Sequence, residues 1–428
     1  METQELYNEY LASAGVTTDS RADLTDKIFF ALRGERFDGN TFALEALQKG
    51  ARLAVVDNQD LPEAEGLYFV EDALQALQEL AFHHRRQLSI PVIAICGSNG
   101  KTTTKELTGR VLAQRYKTFV TPGNLNNHIG VPLSILQITP EHEMAVIEIG
   151  ANHIGETAEL CRLADPDFGL ITNIGKDHLE GFGSLEGVAQ ANGELFVHLA
   201  ANKGLAFVNT HQPHVVELAK SLTRRVTYPS NGDFLHTEGH LSGAYLSVTA
   251  GGYTAQTQLP GLYNLENVAA ALCIGRYFDV ALPAALEAVA DYKPTNNRSQ
   301  WAETGRNSIL VDCYNANPSS MLAALENFKA IPAAGKPKVA ILADMAELGA
   351  DAQHEHEELG KYLAQAGLDQ VWLAGQDMAH AKAHCPQAQY CPTVEALVQA
   401  LTEAQPSGNL FLLKASRSAR LERLLPLL

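Results

Sequence analysis

Short apolar runs alternate with stretches of helical spacing from the start of the chain. Before residue 88 the apolar runs are "KIFFAL", "ARLAVVD" and "GLYFV", and the helical stretches are "TFALEALQKG" and "DALQALQELAFHHRRQL". A short apolar run bounded by turn residues predicts a buried strand, whereas apolar residues at every third or fourth position predict an amphipathic helix. The pattern therefore predicts a small α/β domain over residues 1–88.

The next block begins at "SIPVIAIC", an apolar run that leads through glycines into the helical stretch "TTTKELTGRVLAQRY". Further buried-strand patterns occur at "MAVIEIG" and "FGLITNIG", separated by helical stretches, which is typical of βαβ crossovers in a parallel sheet. After residue 204 the pattern changes to alternation broken by Gly and Thr, as in "GAYLSVTAGGYTAQTQLPG". We predict a central domain over residues 89–296 with a parallel sheet and an antiparallel extension.

The βα order returns after "YKPTNNRSQW". The runs "NSILVDC", "KVAILA", "QVWLAG" and "NLFLLK" are each followed by a helical or loop segment. This order predicts a second, smaller doubly wound domain of Rossmann-like type over residues 297–428. The fold class is thus α/β with three domains.

Composition and charge exclude several classes of protein. The 428 residues carry 32 Lys and Arg against 49 Asp and Glu, a net charge of 32 − 49 = −17, which disfavours non-specific binding to nucleic acid. The chain has no apolar run long enough to span a membrane, and "METQELYNEYLASAG" lacks the apolar core of a signal peptide. The six cysteines show no CxxC spacing. We expect a cytoplasmic protein with reduced, mostly buried thiols, and no membrane insertion.

Residues 95–106, "ICGSNGKTTTKE", carry part of a phosphate-binding pattern. The usual GxxxxGK[ST] loop has glycine where this chain has Ile95, yet an apolar strand precedes the loop and an amphipathic helix follows it. Backbone amides of the loop could form an anion nest, with Lys101 on the β- and γ-phosphates and the Thr102 hydroxyl on Mg²⁺. A plain strand-to-helix turn is the alternative. The predicted nucleotide loop consists of Gly97, Ser98, Asn99, Gly100, Lys101, Thr102 and Thr103.

Two candidate metal ligands follow neighbouring predicted strands. Glu148 ends the run "MAVIE", where an unpaired carboxylate would be costly to bury without a cation. His178 lies in "GKDHLEGFG" after the next strand, and an ordinary loop histidine explains it equally well. Because the carboxyl ends of parallel strands share one edge of the sheet, both residues are expected near the loop.

At this point the chain resembles the Mur ligase family, whose enzymes make amide bonds on the peptidoglycan precursor at the expense of ATP. The shortened loop GxxGKTT, Gly97 to Thr103, is the form found in that family, so Ile95 is no defect. The resemblance covers nearly the whole chain, in order. It is carried by "TTDSR" (17–21), "FFALRGERFDGN" (29–40), "GSNGKTTTKE" (97–106), "TPGNLNNHIGVPLSIL" (121–136), "EIGANHIGE" (148–156), "NIGKDHLEGFGSLEGVAQANGELF" (173–196), "LPGLYNLENVAAAL" (259–272), "DCYNANPSSM" (312–321), "ADMAELG" (343–349) and "LLKASRSARLE" (412–422).

The motifs resemble the family branch that joins D-alanyl-D-alanine to UDP-N-acetylmuramoyl-tripeptide. The implied reaction uses ATP and Mg²⁺: the γ-phosphate passes to the tripeptide carboxylate, and the dipeptide amine attacks the resulting acyl phosphate. The product is the UDP-muramoyl-pentapeptide used for peptidoglycan. The implied partners are these two substrates, and we expect a monomer whose third domain closes over the nucleotide.

The resemblance also implies roles for single residues. Thr102 and Glu148 are expected on one Mg²⁺ and His178 on the other, with Lys101 neutralising phosphoryl charge. The implied nucleotide contacts are Asn126 or Asn127, Asn267, Arg298, Asn315 and Asn317. The implied substrate contacts are Ser20 and Arg21 for the UDP sugar, and Lys414, Ser416 and Arg417 for the dipeptide.

The chain departs from the family at Asn192, where most relatives carry a lysine whose carbamate helps to hold the second Mg²⁺. An asparagine cannot form that carbamate, so either Asn192 with water or a small anion takes its place, or the chain is a non-catalytic binder of UDP-muramoyl peptides. A sister ligase, adding one amino acid to the precursor or glutamate to folate, is a third alternative. The third residue of the tripeptide, diaminopimelate or lysine, stays open. Tyr263 also stands where relatives usually have histidine.

Two segments have structural explanations as well. In "YNANPSS", Asn317 and Pro318 suit the N-cap and first position of a helix. The run "HEHEELG" at 354–360 lacks the HExxH spacing of zinc enzymes and favours a solvated helix face, although His356 also matches a recurrent family position.

Overall fold

The computed structural model describes residues 3–35, 37–295 and 297–428. The predicted boundary at residue 296 lies outside the described residues. The fold is α/β, each apolar run quoted above contains a strand, and most residues of these strands are buried. The strands fall into separate sheets along the chain, in agreement with the predicted fold class.

The N-terminal region contains a parallel four-stranded sheet of order β1-β2-β5-β6 and a two-stranded hairpin, β3-β4. Its strands are β1 (Val16–Thr17), β2 (Ile28–Phe30), β3 (Arg33–Gly34), β4 (Phe37–Asp38), β5 (Leu53–Val56) and β6 (Leu67–Phe69). Its helices are α1 (Thr3–Leu11), α2 (Ala43–Gln48) and α3 (Ala73–Gln87). Asp72 caps α3 by accepting from the Gln75 backbone.

The central region is built on a parallel six-stranded sheet of order β12-β11-β10-β7-β9-β8. Its strands are β7 (Val92–Cys96), β8 (Thr118–Val120), β9 (Met144–Glu148), β10 (Phe168–Ile171), β11 (Leu205–Asn209) and β12 (Arg225–Tyr228). Its helices are α4 (Lys101–Leu112), α5 (Gly130–Ile135), α6 (Glu156–Ala164), α7 (Leu179–Phe182), α8 (Leu185–Ala201) and α9 (Pro213–Leu218). Because β7 lies between β9 and β10, the segments that follow these three strands meet at one edge.

The predicted antiparallel extension is a separate three-stranded sheet. Two helices follow it, and α10 packs against α4, the helix that follows the glycine loop. These elements are β13 (Thr237–Ser242), β14 (Tyr245–Ala250), β15 (Tyr253–Pro260), α10 (Asn264–Tyr277) and α11 (Leu282–Ala290).

The C-terminal region holds a second six-stranded sheet of order β16-β17-β21-β18-β19-β20. All neighbours are parallel except β16, an antiparallel edge strand that the apolar pattern did not predict because "QWAE" is short and mixed in polarity. The strands are β16 (Gln300–Glu303), β17 (Ser308–Asp312), β18 (Lys338–Ala343), β19 (Gln370–Ala374), β20 (Gln389–Cys391) and β21 (Leu410–Lys414). The helices are α12 (Pro318–Ala330), α13 (Ala352–Gln365), α14 (Met378–His384) and α15 (Val394–Ala404).

All six cysteines are buried free thiols. Within the described ranges, no helix has both the length and the apolar character needed to cross a lipid bilayer.

Candidate nucleotide and metal site

A cleft of about 960 Å³ opens between the central and C-terminal regions. This volume lies in the range of natural ligand pockets. The lining combines the glycine loop, the ends of β9 and β10, the start of α10 and several segments of the C-terminal region. The predicted site residues on this wall are Ser98, Asn99, Gly100, Lys101, Thr102, Thr103, Asn126, Asn127, Glu148, His178, Asn267, Arg298, Asn315, Lys414, Ser416 and Arg417.

The loop after β7 requires glycine at two positions. Gly97 has φ +122°, and a Cβ there would lie 2.2 Å from Thr172 Oγ1; Gly100 has φ +82°, and its Cβ would lie 2.4 Å from Asn267 Oδ1. Gly100 is also the N-cap of α4 and provides no side-chain cap. The first backbone N–H groups of a long helix are therefore left for an anion, which is the arrangement that binds phosphate.

Hydrogen bonds to the segment after β10 fix the shape of the loop. The Ser98 backbone N–H donates to Asn173 O at 3.0 Å, and the Asn99 N–H donates to Asn173 Oδ1 at 3.1 Å. The Ser98 hydroxyl donates to Asp177 Oδ1 at 2.7 Å. The Lys101 ammonium lies over the loop and donates to Gly97 O at 2.6 Å.

Glu148 lies at the end of β9 with only 1% of its surface exposed. Its Oε1 accepts hydrogen bonds from Thr102 Oγ1 at 3.1 Å and Asn126 Nδ2 at 2.8 Å. Its Oε2 lies 3.4 Å from the ammonium of Lys105. The structure thus brings the predicted pair Thr102 and Glu148 together and adds a buried cation beside them.

Lys105 was missed by sequence reasoning. It is 1% exposed, and its Nζ donates to Thr121 O at 2.9 Å and Gly123 O at 2.8 Å. The available signal was its position four residues after Lys101, which places it one helical turn deeper than the loop lysine. The ammonium offsets part of the cost of burying the Glu148 carboxylate.

The residues present fit a divalent cation. Among the described residues, Glu148 Oε2 accepts no hydrogen bond, and its ion-pair partner, the Lys105 ammonium, lies 3.4 Å away, so this oxygen still has a lone pair for a cation. The Thr102 hydroxyl and the Glu148 carboxylate are oxygen ligands of the kind that Mg²⁺ and Mn²⁺ prefer at a phosphate site.

His178 meets a carboxylate from the other side of the cleft. Its backbone has φ +46°, an uncommon conformation for a non-glycine residue, and its side chain is 20% exposed. The Nδ1 atom is in ion-pair contact with Glu347 of the C-terminal region. The neighbouring His178 imidazole is the main cause that lowers the pKa of Glu347. Glu347 was also missed, since a single loop glutamate carries no distinguishing pattern.

The asparagines predicted near the nucleotide base already have partners in the protein. Asn267 Oδ1 accepts from Thr104 Oγ1 at 3.0 Å, and its Nδ2 donates to Asn264 Oδ1 at 3.0 Å. Asn126 donates to Glu148, as described above, and Asn127 Oδ1 accepts from the Gly130 backbone at 2.9 Å.

Tyr263 stands where relatives in the family usually have histidine, and its hydroxyl contacts the Ser299 hydroxyl. Its burial raises the pKa of the phenol, so the side chain remains neutral in the cleft. The tyrosine can therefore exchange hydrogen bonds with a ligand but adds no charge to the cleft wall.

Two residues predicted near the nucleotide, Arg298 and Asn317, lie in the C-terminal region. The Arg298 guanidinium stacks on Tyr314 at 3.6 Å from the ring centroid. Asn317 caps α12 in a capping box with Ser320, with Pro318 at the first helical position, which is the structural explanation given above. Its Nδ2 also donates to Asn99 Oδ1 at 3.0 Å, so one side chain both starts the helix and binds the phosphate loop.

The residues implied for the dipeptide lie at the end of β21. Lys414 Nζ donates to Asp312 Oδ2 at 2.8 Å and to Asn315 O at 2.7 Å. Ser416 Oγ accepts from the Ala346 backbone at 3.0 Å. Arg417 pairs with Glu422 and keeps 60% of its side chain exposed. Arg417 is therefore the member of this group most available to a free carboxylate.

Five predicted residues do not lie on the described wall of this cleft: Gly97 and Asn317, whose contacts are given above, and Ser20, Arg21 and Asn192. Ser20 and Arg21 are in the N-terminal region, where Arg21 pairs with Asp19 at 2.9 Å and is exposed. Asn192 is 7% exposed within α8, and its Nδ2 donates to Val188 O at 2.9 Å.

The interpretation of "HEHEELG" as a solvated helix face is wrong for Glu355 and His356, which are 6% and 0% exposed. Both lie on the inner face of α13 with Leu359 and Leu363, at the spacing of an amphipathic helix. His356 Nδ1 donates to Ala352 O at 2.7 Å, and its Nε2 accepts from the Met345 N–H at 3.2 Å.

The His356 ring lies close to two carboxylates but is already bonded at both nitrogens. The ligand atoms of Asp344, His356 and Asp377 lie within 4.8 Å of one another. Because backbone groups occupy both ring nitrogens, the histidine supports the loop before α13.

Comparison with known proteins agrees with this geometry. Residues 13–85 match the family described as "Mur ligase family, catalytic domain", residues 95–275 the "Mur ligase middle domain", and residues 297–417 the "Mur ligase, glutamate ligase domain". The chain is 35% identical to the Escherichia coli (strain K12) protein named UDP-N-acetylmuramoyl-tripeptide--D-alanyl-D-alanine ligase, over 98% of this chain and 94% of that protein. A protein of the same name from Bacillus subtilis (strain 168) is 34% identical over 96% of this chain and 92% of its own length.

Solved structures show the same architecture. MurF from Acinetobacter baumannii superposes with a TM-score of 0.88 at 30% identity, covering 99% of this chain and 97% of that one. MurF ligase from Thermotoga maritima, solved in complex with ADP, gives a TM-score of 0.85 at 27% identity and covers 97% of each chain. Sequence matches along most of the chain, the matching fold and the glycine loop beside a buried glutamate together show that the chain belongs to the Mur ligase family.

Proposed function

We propose that this protein joins D-alanyl-D-alanine to UDP-N-acetylmuramoyl-tripeptide at the expense of ATP, giving the pentapeptide precursor of peptidoglycan. The observation that carries the proposal is the meeting of Lys101, Glu148 and His178 on one cleft wall. The near full-length identity to ligases of that name supports the choice of substrates.

The first chemical step is transfer of the γ-phosphoryl group of ATP to the terminal carboxylate of the tripeptide. The free N–H groups at the start of α4 hold the phosphates, and Lys101 swings from its loop carbonyls onto the transferring group. Two divalent cations, which we propose to be Mg²⁺, would be held by Thr102 and Glu148 on one side and by His178 on the other, and would neutralise phosphoryl charge.

The second step is attack of the dipeptide amine on the acyl phosphate, which expels inorganic phosphate and forms the amide. An acyl phosphate hydrolyses in water, so the cleft has to be closed during its lifetime. Contacts from α12 and the loop around Glu347 to the central region provide that closure. Arg417, with its exposed guanidinium, is placed to bind the dipeptide carboxylate.

Asn192 stands at the position where the family resemblance implies a ligand for the second cation. Its amide nitrogen is bonded within α8, and the side chain carries no negative charge. We propose that water or a small anion completes the coordination there. Activity should then respond to a change of buffer anion at constant ionic strength, and indifference to every anion would leave water as the remaining ligand.

The decisive experiment is mass analysis of the product. The protein is incubated with ATP, Mg²⁺, UDP-muramoyl-tripeptides carrying diaminopimelate or lysine, and competing amines that include single amino acids and D-alanyl-D-alanine. A product heavier by the dipeptide supports the proposal and shows the preferred third residue. Addition of a single amino acid would identify a sister ligase, and absence of ADP release with every amine would identify a non-catalytic binder.

We further propose that the protein acts as a cytoplasmic monomer. The support is its use of nucleotide substrates and the presence of all six cysteines as buried free thiols. Light scattering on the purified protein and fractionation of the source cells test the two statements separately.

A further inference from the structure

Glu347 crosses the cleft from the C-terminal region to a residue of the phosphate site. Its carboxylate contacts Nδ1 of His178, and its carbonyl oxygen accepts from the Glu180 N–H at 3.1 Å. Both Glu347 and His178 have positive φ, +63° and +46°. Strained non-glycine residues of this kind persist where the surroundings hold them, and they cluster at functional sites.

The loop that carries Glu347 is held from its own side by two buried groups. The Ala346 N–H donates to Ser416 Oγ, and the Met345 N–H donates to His356 Nε2. Ser416 Oγ in turn donates to Asp344 O at 3.0 Å. Ser416 and His356 therefore both fix the backbone that directly precedes Glu347.

The contact between the Glu347 carboxylate and Nδ1 determines which ring nitrogen of His178 is available to a cation. In a neutral histidine one ring nitrogen is a donor and the other an acceptor. A carboxylate at Nδ1 keeps the proton there, which leaves the lone pair of Nε2 free. Metal-binding histidines in proteins typically have this arrangement, with the second nitrogen donating to a carboxylate or carbonyl.

We propose that Glu347 is a positioning residue that fixes the Nδ1–H tautomer of His178, so that Nε2 is presented to the cation only when the C-terminal region is docked. This inference rests on the proposed role of His178 as a cation ligand. It means that closure over the nucleotide and completion of the cation site are one event. Phosphoryl transfer in the open enzyme, where water could destroy the acyl phosphate, is thereby disfavoured.

Other contacts between the two regions offer a matched control. Glu355 also reaches across, to the Lys176 ammonium at 2.5 Å, but it does not touch His178. The variant Glu355→Gln removes an interdomain carboxylate of similar type. An effect of replacing Glu347 that is absent in Glu355→Gln is therefore due to the contact with the His178 imidazole.

The first experiment measures the tautomer without any metal. The full-length protein is labelled with ¹⁵N in the histidine rings, above neutral pH, and the His178 signals are identified by their loss in His178→Gln. Wild type should show the Nδ1–H form, and so should Glu347→Gln, because glutamine still offers an acceptor oxygen to Nδ1. Glu355→Gln should show the same form, because Glu355 pairs with Lys176 and not with His178. Glu347→Ala should shift His178 toward the Nε2–H form. An unchanged tautomer in Glu347→Ala would overturn the proposal.

The second experiment measures Mn²⁺ binding in the presence of ADP by electron paramagnetic resonance. Loss of a partner behind a metal-binding histidine typically weakens metal affinity about 10–100-fold, so Glu347→Ala should weaken the His178-dependent Mn²⁺ site by that factor. Glu347→Gln should recover part of the affinity, and Glu355→Gln should bind as wild type does. Equal Mn²⁺ affinity in Glu347→Ala and wild type would contradict the inference.

These outcomes are independent of which amide is made. If the tautomer and Mn²⁺ results hold but no pentapeptide forms, the positioning role stands and the proposed substrates are wrong. If pentapeptide forms and Glu347→Ala leaves both readouts unchanged, the proposed function stands and the positioning role is wrong.

Discussion

Replacing Lys105 by methionine tests whether the buried ammonium holds the Glu148 carboxylate in the folded protein. Methionine keeps the apolar stem but removes the charge and the donors to Thr121 and Gly123. Lys105 and Glu148 side chains are each 1% exposed, so solvent cannot replace the lost partner. Removing one member of a buried pair costs about 3–5 kcal/mol.

The expected change is a lower melting temperature of the central region. For a domain of about 150–250 residues, each kcal/mol of lost folding free energy lowers the melting temperature by roughly 2–4 °C. Lys105→Met should therefore lower the melting temperature of this region by about 6–20 °C. Differential scanning calorimetry is the suitable assay because several domains can unfold in separate transitions. Adding Mg²⁺ should restore more stability to Lys105→Met than to wild type, since a bound cation can take the place of the ammonium.

Lys101→Met is the matched control, with the same substitution one turn earlier in α4. Lys101 bonds to loop carbonyls in a partly exposed position, so its loss should cost about 1 kcal/mol. The double variant Lys105→Met with Glu148→Gln should be less destabilised than the sum of the single variants. Equal shifts for Lys101→Met and Lys105→Met, or strict additivity in the double variant, would refute the proposed pairing.

Three further predictions concern the loop and the C-terminal region. Gly100→Ala should weaken ADP binding, measured by calorimetry, at least about tenfold. The reason is that the alanine Cβ would lie 2.4 Å from Asn267 Oδ1 at a backbone φ of +82°. Unchanged ADP affinity would show that the loop can move to accommodate the Cβ. Lys101→Met should lower kcat by about 10²–10³ in an ADP-release assay, with a much smaller effect on melting temperature, and unchanged kcat would remove Lys101 from the reaction. Burial raises the pKa of the Asp344 carboxyl in the folded protein, so the contribution of this group to folding stability falls as pH rises through that raised pKa. Asp344→Asn should therefore have a higher melting temperature than wild type at neutral pH and lose this advantage in acid. The opposite pH dependence of the two melting temperatures would contradict the assignment.

The periodic parts of the fold were predictable from sequence, because a buried parallel strand leaves a continuous apolar run. The strands β7, β9 and β10 belong to this class, and their order in the chain placed the loop, Glu148 and His178 at one edge. The edge strand β16 was missed, since a short strand with mixed polarity has no such pattern. Thr102 and Glu148 were paired correctly as neighbours for the same topological reason.

The missed residues share a physical cause. Lys105 and Glu347 gain their roles from partners that are distant in sequence, at separations that no local pattern records. His356 was misplaced on a solvated face because neighbouring acidic residues in α13 hide the amphipathic spacing. Asn317 shows the intermediate case: its helix cap was readable locally, whereas its bond to Asn99 depends on how two regions dock.

The burial of all six cysteines makes the native protein a convenient starting point for spectroscopy. A thiol-reactive dye should leave the folded wild type unlabelled, so two new surface cysteines can be labelled without first removing the native ones. One at the exposed Gln399 on α15 and one at the exposed His214 on α9 would report the distance between the C-terminal and central regions. Energy transfer between two such dyes, followed while ATP and the muramoyl peptide are added in turn, would show which substrate draws the two regions together.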